Sequence, residues 1–200
     1  MYSRYMTSTQ SLGTLLREPA SVPTRVLPYV GKAILCSCII ALGAQIEIRL
    51  PYTPVPITGQ SLSIVISGLL FGRKLALAGT GAYLLEGAAG LPVFSGGSAG
   101  LHHFAGPTGG YLLGFLPAAY IAGAAKDRGF TASPLGVFLT VLASSIPIFF
   151  LGVLRLWMVI GDLSMALSSG FFPFIPGDFM KALLASMLTP LATITQRKQR

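Results

Sequence analysis

Two oppositely charged residues, Asp178 and Lys181, lie three positions apart in an apolar stretch near the end of the chain. Pro176 precedes them and is favoured in the first turn of a helix, so we expect both side chains on one face of that helix, near its start. A carboxylate accepts hydrogen bonds and an ammonium group donates them. This helix face is therefore the first candidate for recognising a small polar ligand.

A second pattern could indicate catalysis. Gly96-Gly-Ser98-Ala-Gly100 matches the Gly-x-Ser-x-Gly pattern of serine hydrolases, and His102 and His103 follow it. A nucleophile elbow needs a strand before it, a helix after it and a histidine from a distant segment, but both histidines stand in the same loop. Two adjacent histidines without a third ligand also make a poor metal site. We therefore predict no enzyme activity and no cofactor, with an intramembrane serine hydrolase using Ser98 as the alternative.

Three connections rich in proline or glycine are expected around the first candidate site. Pro51, Pro54 and Pro56 stiffen the first connection. The second, residues 90–111, is rich in glycine, which lets backbone approach a ligand closely, and the third leads into Asp178. Such connections fit a lid over a small-molecule pocket, and tight turns between short helices are the alternative.

The composition indicates that these elements lie in a membrane. Of 200 residues, 52% are hydrophobic and 10% are charged, and the mean hydropathy is +0.71. Soluble proteins carry about 25% charged residues, and disordered chains have low hydrophobicity, so both classes are excluded. The net charge of +8 does not indicate nucleic acid, because the basic residues lie in short groups at the ends of apolar runs rather than on one soluble face.

Six apolar runs predict an all-α membrane protein with six transmembrane helices, since a span needs around 20 apolar residues. The membrane domain is assigned to residues 27–195, a polar tail to residues 1–26 and a basic C-terminus to residues 196–200. The runs are Leu27–Ile46, Ile57–Phe71, Leu75–Leu91, Gly110–Ala125, Leu135–Ile160 and Pro176–Ile194.

The charge distribution predicts the orientation of these spans. With six spans, 11 of the 14 basic residues fall on the side of the termini, and the positive-inside rule places that side in the cytoplasm. Ionisable groups at membrane depth usually face a cavity or one another, so the mixed charges of the outer half predict a polar pocket that opens outward. Ordinary interfacial charges in loops are the alternative. The outer residues are Glu47, Arg49, Glu86, Arg155, Asp162, Asp178 and Lys181.

Four motifs, in the same order, resemble the BioY family, the biotin-specific substrate-capture (S) components of energy-coupling factor (ECF) transporters. The resemblance covers about residues 28–195 and implies a six-helix S-component fold in a bacterial cell (inner) membrane. It implies capture of biotin from outside, a transmembrane coupling protein and an ATPase pair as partners, and membrane lipid around the helices. The same fold with a different vitamin is the alternative. The motifs are Tyr52-Thr-Pro-Val-Pro-Ile-Thr-Gly-Gln60, Leu91-Pro-Val-Phe-Ser-Gly-Gly97, Gly106-Pro-Thr-Gly-Gly-Tyr-Leu-Leu-Gly-Phe115 and Pro176-Gly-Asp-Phe-Met-Lys181.

The resemblance also implies a ligand site. The family's acidic and basic pair on the final helix corresponds to Asp178 and Lys181, which would accept from the ureido N–H groups of biotin and donate to its ureido oxygen. Some members carry a basic residue where this chain has Ser98. Arg49 and backbone N–H groups are both candidates for the biotin carboxylate. The remaining expected contacts are ring cover by Phe94 and Tyr111 and hydrogen bonds from Gln60, Thr108, Gly109 and Gly110.

Small residues recur on one face of the first span, at Ala33, Ser37 and Ala41. Such a stripe lets another helix approach closely, and packing inside the bundle explains it as well as contact with another protein. In the BioY family this stripe helps to dock the coupling protein, so the resemblance implies a docking role. Ser37 stands in a row that the family usually writes with alanines.

Overall fold

The computed structural model describes the backbone of residues 26–197 and the side chains of residues 26–187. Residues 1–25 of the expected N-terminal tail and residues 198–200 of the expected C-terminus lie outside the described residues. Over the described range the protein is helical, apart from one short ribbon of two strands and a few turns of 3₁₀ helix. The predicted helical fold class is therefore confirmed.

Each of the six predicted apolar runs overlaps one of the longer helices, namely α1, α2, α3, α5, α6 and α8. Among the described residues, α1 and α6 are long and apolar enough to cross a membrane, and α2 is a shorter apolar helix. The helices are α1 Val26–Gln45, α2 Gln60–Phe71, α3 Arg73–Ala88, α4 His102–Ala105, α5 Gly109–Asp127, α6 Pro134–Ile160, α7 Leu163–Gly170 and α8 Ile175–Arg197, and the strands are β1 Glu47–Ile48 and β2 Ile57–Thr58.

Helix α5 lies at the centre of the bundle. It packs against α6, α2 and α3, while α1 packs on α3 and α8 packs on α6. The α5–α6 seam is close because it is built from glycines: a methyl group on Gly110 would overlap the Leu151 carbonyl, and one on Gly152 would overlap the Tyr111 ring. Small residues permit this approach between membrane helices, and the seam fixes where α5 presents Tyr111.

The connections at one end of the bundle are short and basic. Asp127, at the end of α5, accepts from the backbone N–H of Arg73 at 3.2 Å and lies 3.7 Å from its guanidinium. Lys126 donates to the carbonyl oxygen of Leu70 at the end of α2. The α2–α3 and α5–α6 connections are therefore joined at the same end, as the charge pattern predicts.

The connections at the opposite end contain more structure than the predicted loops. The proline-rich segment leaves and re-enters the bundle through the antiparallel pair of β1 and β2, with Glu47 opposite Thr58. The glycine-rich segment contains α4, and the third connection contains α7, capped by Asp162, whose carboxylate accepts from the N–H of Met165 at 3.1 Å. The sequence analysis did not predict these elements, because they are too short to produce a periodic pattern.

The middle residue of the small-residue stripe on α1, Ser37, faces the interior of the bundle. Ser37 is 1% exposed and donates a hydrogen bond to the Glu86 carboxylate on α3. Ala33 and Ala41 are half-buried. Ser37 thus departs from the expected docking role, since a side chain enclosed by α3 cannot touch another protein while the helices keep this packing.

Candidate ligand-binding site

A small cleft lies between the start of α8, helices α5 and α6, and the proline-rich connection. Its volume is about 50 Å³, which holds little more than a few water molecules. The first turns of α8 supply Asp178 and Lys181, and aromatic rings from α5, α6 and the segment before α8 supply apolar walls. The lining residues, here called the inner cleft, are Val55, Pro56, Ile57, Thr58, Ser61, Tyr111, Phe115, Ser145, Ile148, Phe149, Phe174, Gly177, Asp178 and Lys181.

Lys181 is held by two partners from the neighbouring segment of the chain. Its Nζ donates to the carbonyl oxygen of Thr58 and to the Oγ of Ser61, both at 2.9 Å. An ammonium group has three donors, so one N–H remains for a ligand. The ammonium group is thereby oriented before any ligand arrives.

Asp178 is 8% exposed and interacts with the Ser145 hydroxyl and, through space, with the charge of Lys181. Within the described side chains, the ion pairs closer than 4.0 Å are Arg49–Glu47 and Arg73–Asp127, so Asp178 and Lys181 do not close on each other. A buried carboxylate costs free energy unless hydrogen bonds satisfy its oxygens. Asp178 therefore retains acceptor capacity for N–H donors of a ligand.

Tyr111 forms one wall of the inner cleft with its ring. Its hydroxyl donates to the carbonyl oxygen of Gly170 at 2.7 Å, and its ring lies 6.3 Å from that of Phe174. The hydroxyl is thus occupied by the end of α7, and the ring face is what remains for a ligand. This agrees with the expected cover of an apolar ring, a role that stays a prediction.

A larger cavity of about 470 Å³ adjoins the inner cleft, and this volume lies within the roughly 300–1,000 Å³ of ligand pockets. The two cavities share Val55, Pro56 and Thr58 as lining. The residues of this outer cavity are Glu47, Arg49, Leu50, Thr53, Pro54, Val55, Pro56, Thr58, Gln60, Phe94, Ser95, Ser98, His103, Pro107, Thr108 and Leu112.

Gln60 and Phe94 line the outer cavity from fixed positions. The Gln60 amide donates to the Tyr83 hydroxyl and accepts from Thr58 Oγ1 at 3.0 Å. The Phe94 ring meets Tyr83 edge-on with ring centres 5.5 Å apart and rests on Gly87, where a methyl group would overlap it. The Gln60 amide thus has two partners within the protein, and its expected contact with a ligand stays a prediction.

Charged groups join the ribbon to the glycine-rich connection at the mouth of the outer cavity. Arg49 Nε donates to Glu47 Oε1 at 2.6 Å, and the Ser95 hydroxyl donates to Glu47 Oε2. The hydrogen bond from Ser95 lowers the pKa of Glu47, and Arg49 lowers it further. Gly96 stands beneath the Arg49 guanidinium with φ +65°, a conformation in which a side chain is strained.

Ser98 and the two histidines are not arranged as a serine hydrolase would require. The Ser98 hydroxyl donates to the carbonyl oxygen of Ser95 at 2.7 Å, and no hydrogen bond links it to a histidine among the described side chains. His103 packs against Phe94, and burial together with the neighbouring His102 lowers the pKa of His103. Neither histidine is in place as a base for Ser98. Within the described part of the chain, no three His, Cys, Asp or Glu side chains group to hold a metal.

The predicted site residues divide between the two cavities. Asp178, Lys181 and Tyr111 meet at the inner cleft, while Gln60, Phe94 and Thr108 line the outer cavity. Gly109 and Gly110 line neither cavity. A methyl group on Gly109 would overlap Phe104, and one on Gly110 would overlap α6, so the structure shows a packing role for both glycines, and their expected ligand contact stays a prediction.

Three polar residues of the inner cleft were not predicted as site residues from the sequence. Thr58 and Ser61 hold Lys181 from 120 or more positions away along the chain, so no local spacing relates them to it. Ser145 lies next to Asp178 from the middle of α6. Its one signal was a polar Ser144-Ser145 pair within an apolar run, since polar residues in membrane helices often hydrogen-bond across helices.

Comparison with known proteins places the whole arrangement in one family. The BioY family matches residues 18–198. The biotin transporter BioY of Rhizobium etli is 34% identical over 163 residues, covering 78% of this chain and 87% of that protein. The biotin transporter BioY of Thermotoga maritima is 35% identical over 161 residues, covering 78% of this chain and 90% of that protein.

The fold is similar to a solved structure as well. A crystal structure at 2.1 Å of the S-component for biotin from an ECF-type ABC transporter superposes with a TM-score of 0.73 and 30% sequence identity, covering 85% of this chain and 93% of that chain. Sequence and fold thus agree over most of the chain. The chain belongs to the BioY family.

Proposed function

We propose that this protein captures biotin as the substrate-binding component of an ECF-type transporter. The observation that carries the proposal is the match over residues 18–198 to a family whose relatives are named biotin transporters. The protein is then a transport component and not an enzyme. Biotin is its ligand, and no cofactor is involved.

The inner cleft suits the ureido end of biotin. Asp178 accepts the ureido N–H groups, and the free N–H of Lys181 donates to the ureido oxygen, both as charge-assisted hydrogen bonds. Because about 50 Å³ is too small for the whole molecule, the sulfur-containing ring and the side chain continue past Thr58 into the outer cavity. The ring face of Tyr111 and the edge of Phe94 then cover the apolar atoms.

The proposed orientation places six spans in a bacterial cell (inner) membrane, with both termini in the cytoplasm. The joined basic connections, with Arg73, Lys74, Lys126 and Arg128, support this because positive charge marks the cytoplasmic side. The two cavities then open outward, on the side from which biotin arrives. Reporter enzymes fused after the C-terminal residue test the orientation, since a cytoplasmic reporter should be active there and a periplasmic one silent.

The proposed partners are a transmembrane coupling protein and a pair of ATPases. The chain itself carries no Gly-x-x-x-x-Gly-Lys-[Ser/Thr] motif for binding ATP through a P-loop, which supports an external energy source. Docking on α1 would use the half-buried Ala33 and Ala41 and the exposed face beside them, with Ser37 remaining inside. Copurification from the native membrane tests this assignment.

The deciding experiment measures binding of radiolabelled biotin to the purified protein and to Asp178→Asn and Lys181→Ala. Removing one partner of a buried charged hydrogen bond costs about 2–5 kcal/mol, so each variant should bind at least roughly thirtyfold more weakly. Asp162→Asn and Lys74→Ala are the matched controls, because both side chains are exposed and asparagine still caps a helix.

Two results would contradict these proposals separately. Unchanged affinity in both variants, with the wild type binding biotin, would reject the site and leave the function standing. Displacement of the label by thiamine or riboflavin as readily as by unlabelled biotin would reject biotin as the ligand. Elution of each variant as a single folded species establishes that loss of binding is not loss of fold.

A further inference from the structure

We infer that Arg49 forms a second, anion-binding subsite in the outer cavity, which takes the carboxylate at the far end of the ligand. The inference rests on the proposed function, since biotin carries its carboxylate on a chain remote from the ureido group. Arg49 is the one lysine or arginine among the described residues that line this cavity. An anionic group entering it therefore has a single full positive charge to meet.

The guanidinium of Arg49 is oriented but not saturated. Its Nε donates to Glu47 Oε1, and neither Nη group has a hydrogen-bond partner among the described residues. A guanidinium has five N–H donors in a planar fork, so the two Nη groups remain for a carboxylate, which arginine can bind with two parallel hydrogen bonds. Because Gly96 has no side chain, the Nη end can extend over the glycine-rich connection.

The other ionisable groups of the outer cavity do not compete for the carboxylate. Both Glu47 oxygens are engaged, one by Arg49 and one by Ser95. Glu47 therefore orients the guanidinium of Arg49 through Nε and leaves its two Nη groups available. Burial and His102 lower the pKa of His103, which favours the neutral imidazole, and its ring packs against Phe94. Ser98 donates to Ser95. The anion therefore binds at Arg49 rather than at the histidines.

The position of Arg49 relative to the inner cleft fits a ligand with two polar ends. The two cavities meet at Val55, Pro56 and Thr58, and the carbonyl oxygen of Thr58 accepts from Lys181. A ligand whose ureido end contacts Lys181 therefore passes Thr58 before it reaches the outer cavity. The apolar chain of the ligand would then pack against Val55, and its anionic end would lie in the outer cavity near Arg49.

The test compares biotin with biotin amide and biotin methyl ester, which keep the ring system and lose the negative charge. Wild-type protein should bind biotin roughly two- to fivefold more tightly than either uncharged analogue, as expected for an ion pair with an exposed arginine. Arg49→Gln should remove this preference by weakening biotin while leaving both analogues unchanged. Arg49→Lys should keep part of it, because a point charge remains without the fork.

The matched control is Arg128→Gln, which removes an exposed arginine without a side-chain hydrogen bond or ion pair among the described residues, and it should keep the full preference. Equal weakening of biotin and its analogues in Arg49→Gln would overturn the inference, since it would assign Arg49 a role in holding the ribbon. Wild-type binding that does not distinguish biotin from its amide would overturn it as well. Absence of any biotin binding by the wild type would instead reject the proposed function.

Discussion

The inner cleft and the outer cavity hold their charged groups in different ways. In the inner cleft, Asp178 is 8% exposed and Lys181 is fixed by two hydrogen bonds from Thr58 and Ser61. In the outer cavity, the side chain of Arg49 is 74% exposed and is held through Glu47 alone. The more buried site is also the smaller one: the inner cleft has a volume of about 50 Å³ and the outer cavity about 470 Å³.

This difference indicates that the two cavities contribute differently to ligand binding. A buried and oriented charge discriminates strongly, because a ligand without the matching groups leaves it unpaired. An exposed arginine works in a high dielectric, where each contact is weaker, but it can follow a flexible anionic chain. Specificity is therefore expected mainly from the inner cleft, and a further gain in affinity from the outer cavity.

Among changes outside the charged groups themselves, the largest effect should come from breaking the seam that positions the inner cleft. In Gly152→Ala, the added methyl group would overlap the Tyr111 ring, and overpacking costs about 1–3 kcal/mol. We expect Tm to fall by several degrees and biotin affinity to fall at least tenfold, because Tyr111 lines the cleft.

The control for this seam is Gly81→Ala on α3, where nothing lies within 4 Å of the new methyl group. Alanine is a better helix former than glycine, so this variant should keep its affinity with an equal or higher Tm. Identical Tm and Kd in the two variants would show that Tyr111 does not depend on the seam.

A smaller effect on biotin affinity should follow from removing one of the hydrogen bonds that orient Lys181. Ser61→Ala removes one of the two partners of Lys181 and leaves the Thr58 carbonyl, so we expect biotin to bind roughly three- to tenfold more weakly. Equilibrium binding at fixed pH measures this, with the exposed Ser168→Ala as control. Tighter binding in Ser61→Ala would mean that the hydroxyl competes with the ligand for the ammonium group.

The smallest effect should come from the exposed contacts of the outer cavity. Ser95, with help from Arg49, lowers the pKa of Glu47, so the charged contact is complete above the ordinary glutamate value of about 4.3 and is lost only as the pH falls through the lowered pKa. Amide hydrogen exchange of residues 94–98, corrected for intrinsic rates, should therefore be equal at pH 7 and pH 5.

The variant Glu47→Gln should raise that exchange severalfold at pH 7 while changing biotin affinity less than threefold, because Glu47 acts on the ligand only through Arg49, which is exposed and screened. Asp162→Asn on the third connection should leave the exchange unchanged. Exchange that accelerates between pH 7 and pH 5 would mean that a group other than Glu47 joins the two connections.

Much of the fold could be predicted from the sequence because it depends on local patterns. The six apolar runs, the start of α8 near Pro176 and the shared face of Asp178 and Lys181 all follow from composition and helical spacing. The short helices α4 and α7 and the two-residue strands could not be predicted, because each is shorter than the window of roughly 11–18 residues over which a periodic pattern can be recognised.

The site was less predictable for residues whose role depends on a distant neighbour. Gly109 and Gly110 stand in a motif that suggested contact with a ligand, but their surroundings in the folded chain are Phe104 and α6. Gln60 is occupied by Tyr83, which lies 23 positions away. Glycine and glutamine have the same sequence signature whether they serve a ligand or the packing, so spacing alone does not separate the two roles.

The sequence by itself determined that this is a helical membrane protein with a carboxylate and an ammonium group on one helix face, since hydropathy and i, i+3 spacing are properties of neighbouring residues. The tertiary structure decided that these two groups share a small cleft with Ser61 and Ser145, and that Arg49 stands in a larger, adjoining cavity. The physical reason is that burial and hydrogen-bond partners come from segments brought together only when α2, α5, α6 and α8 pack.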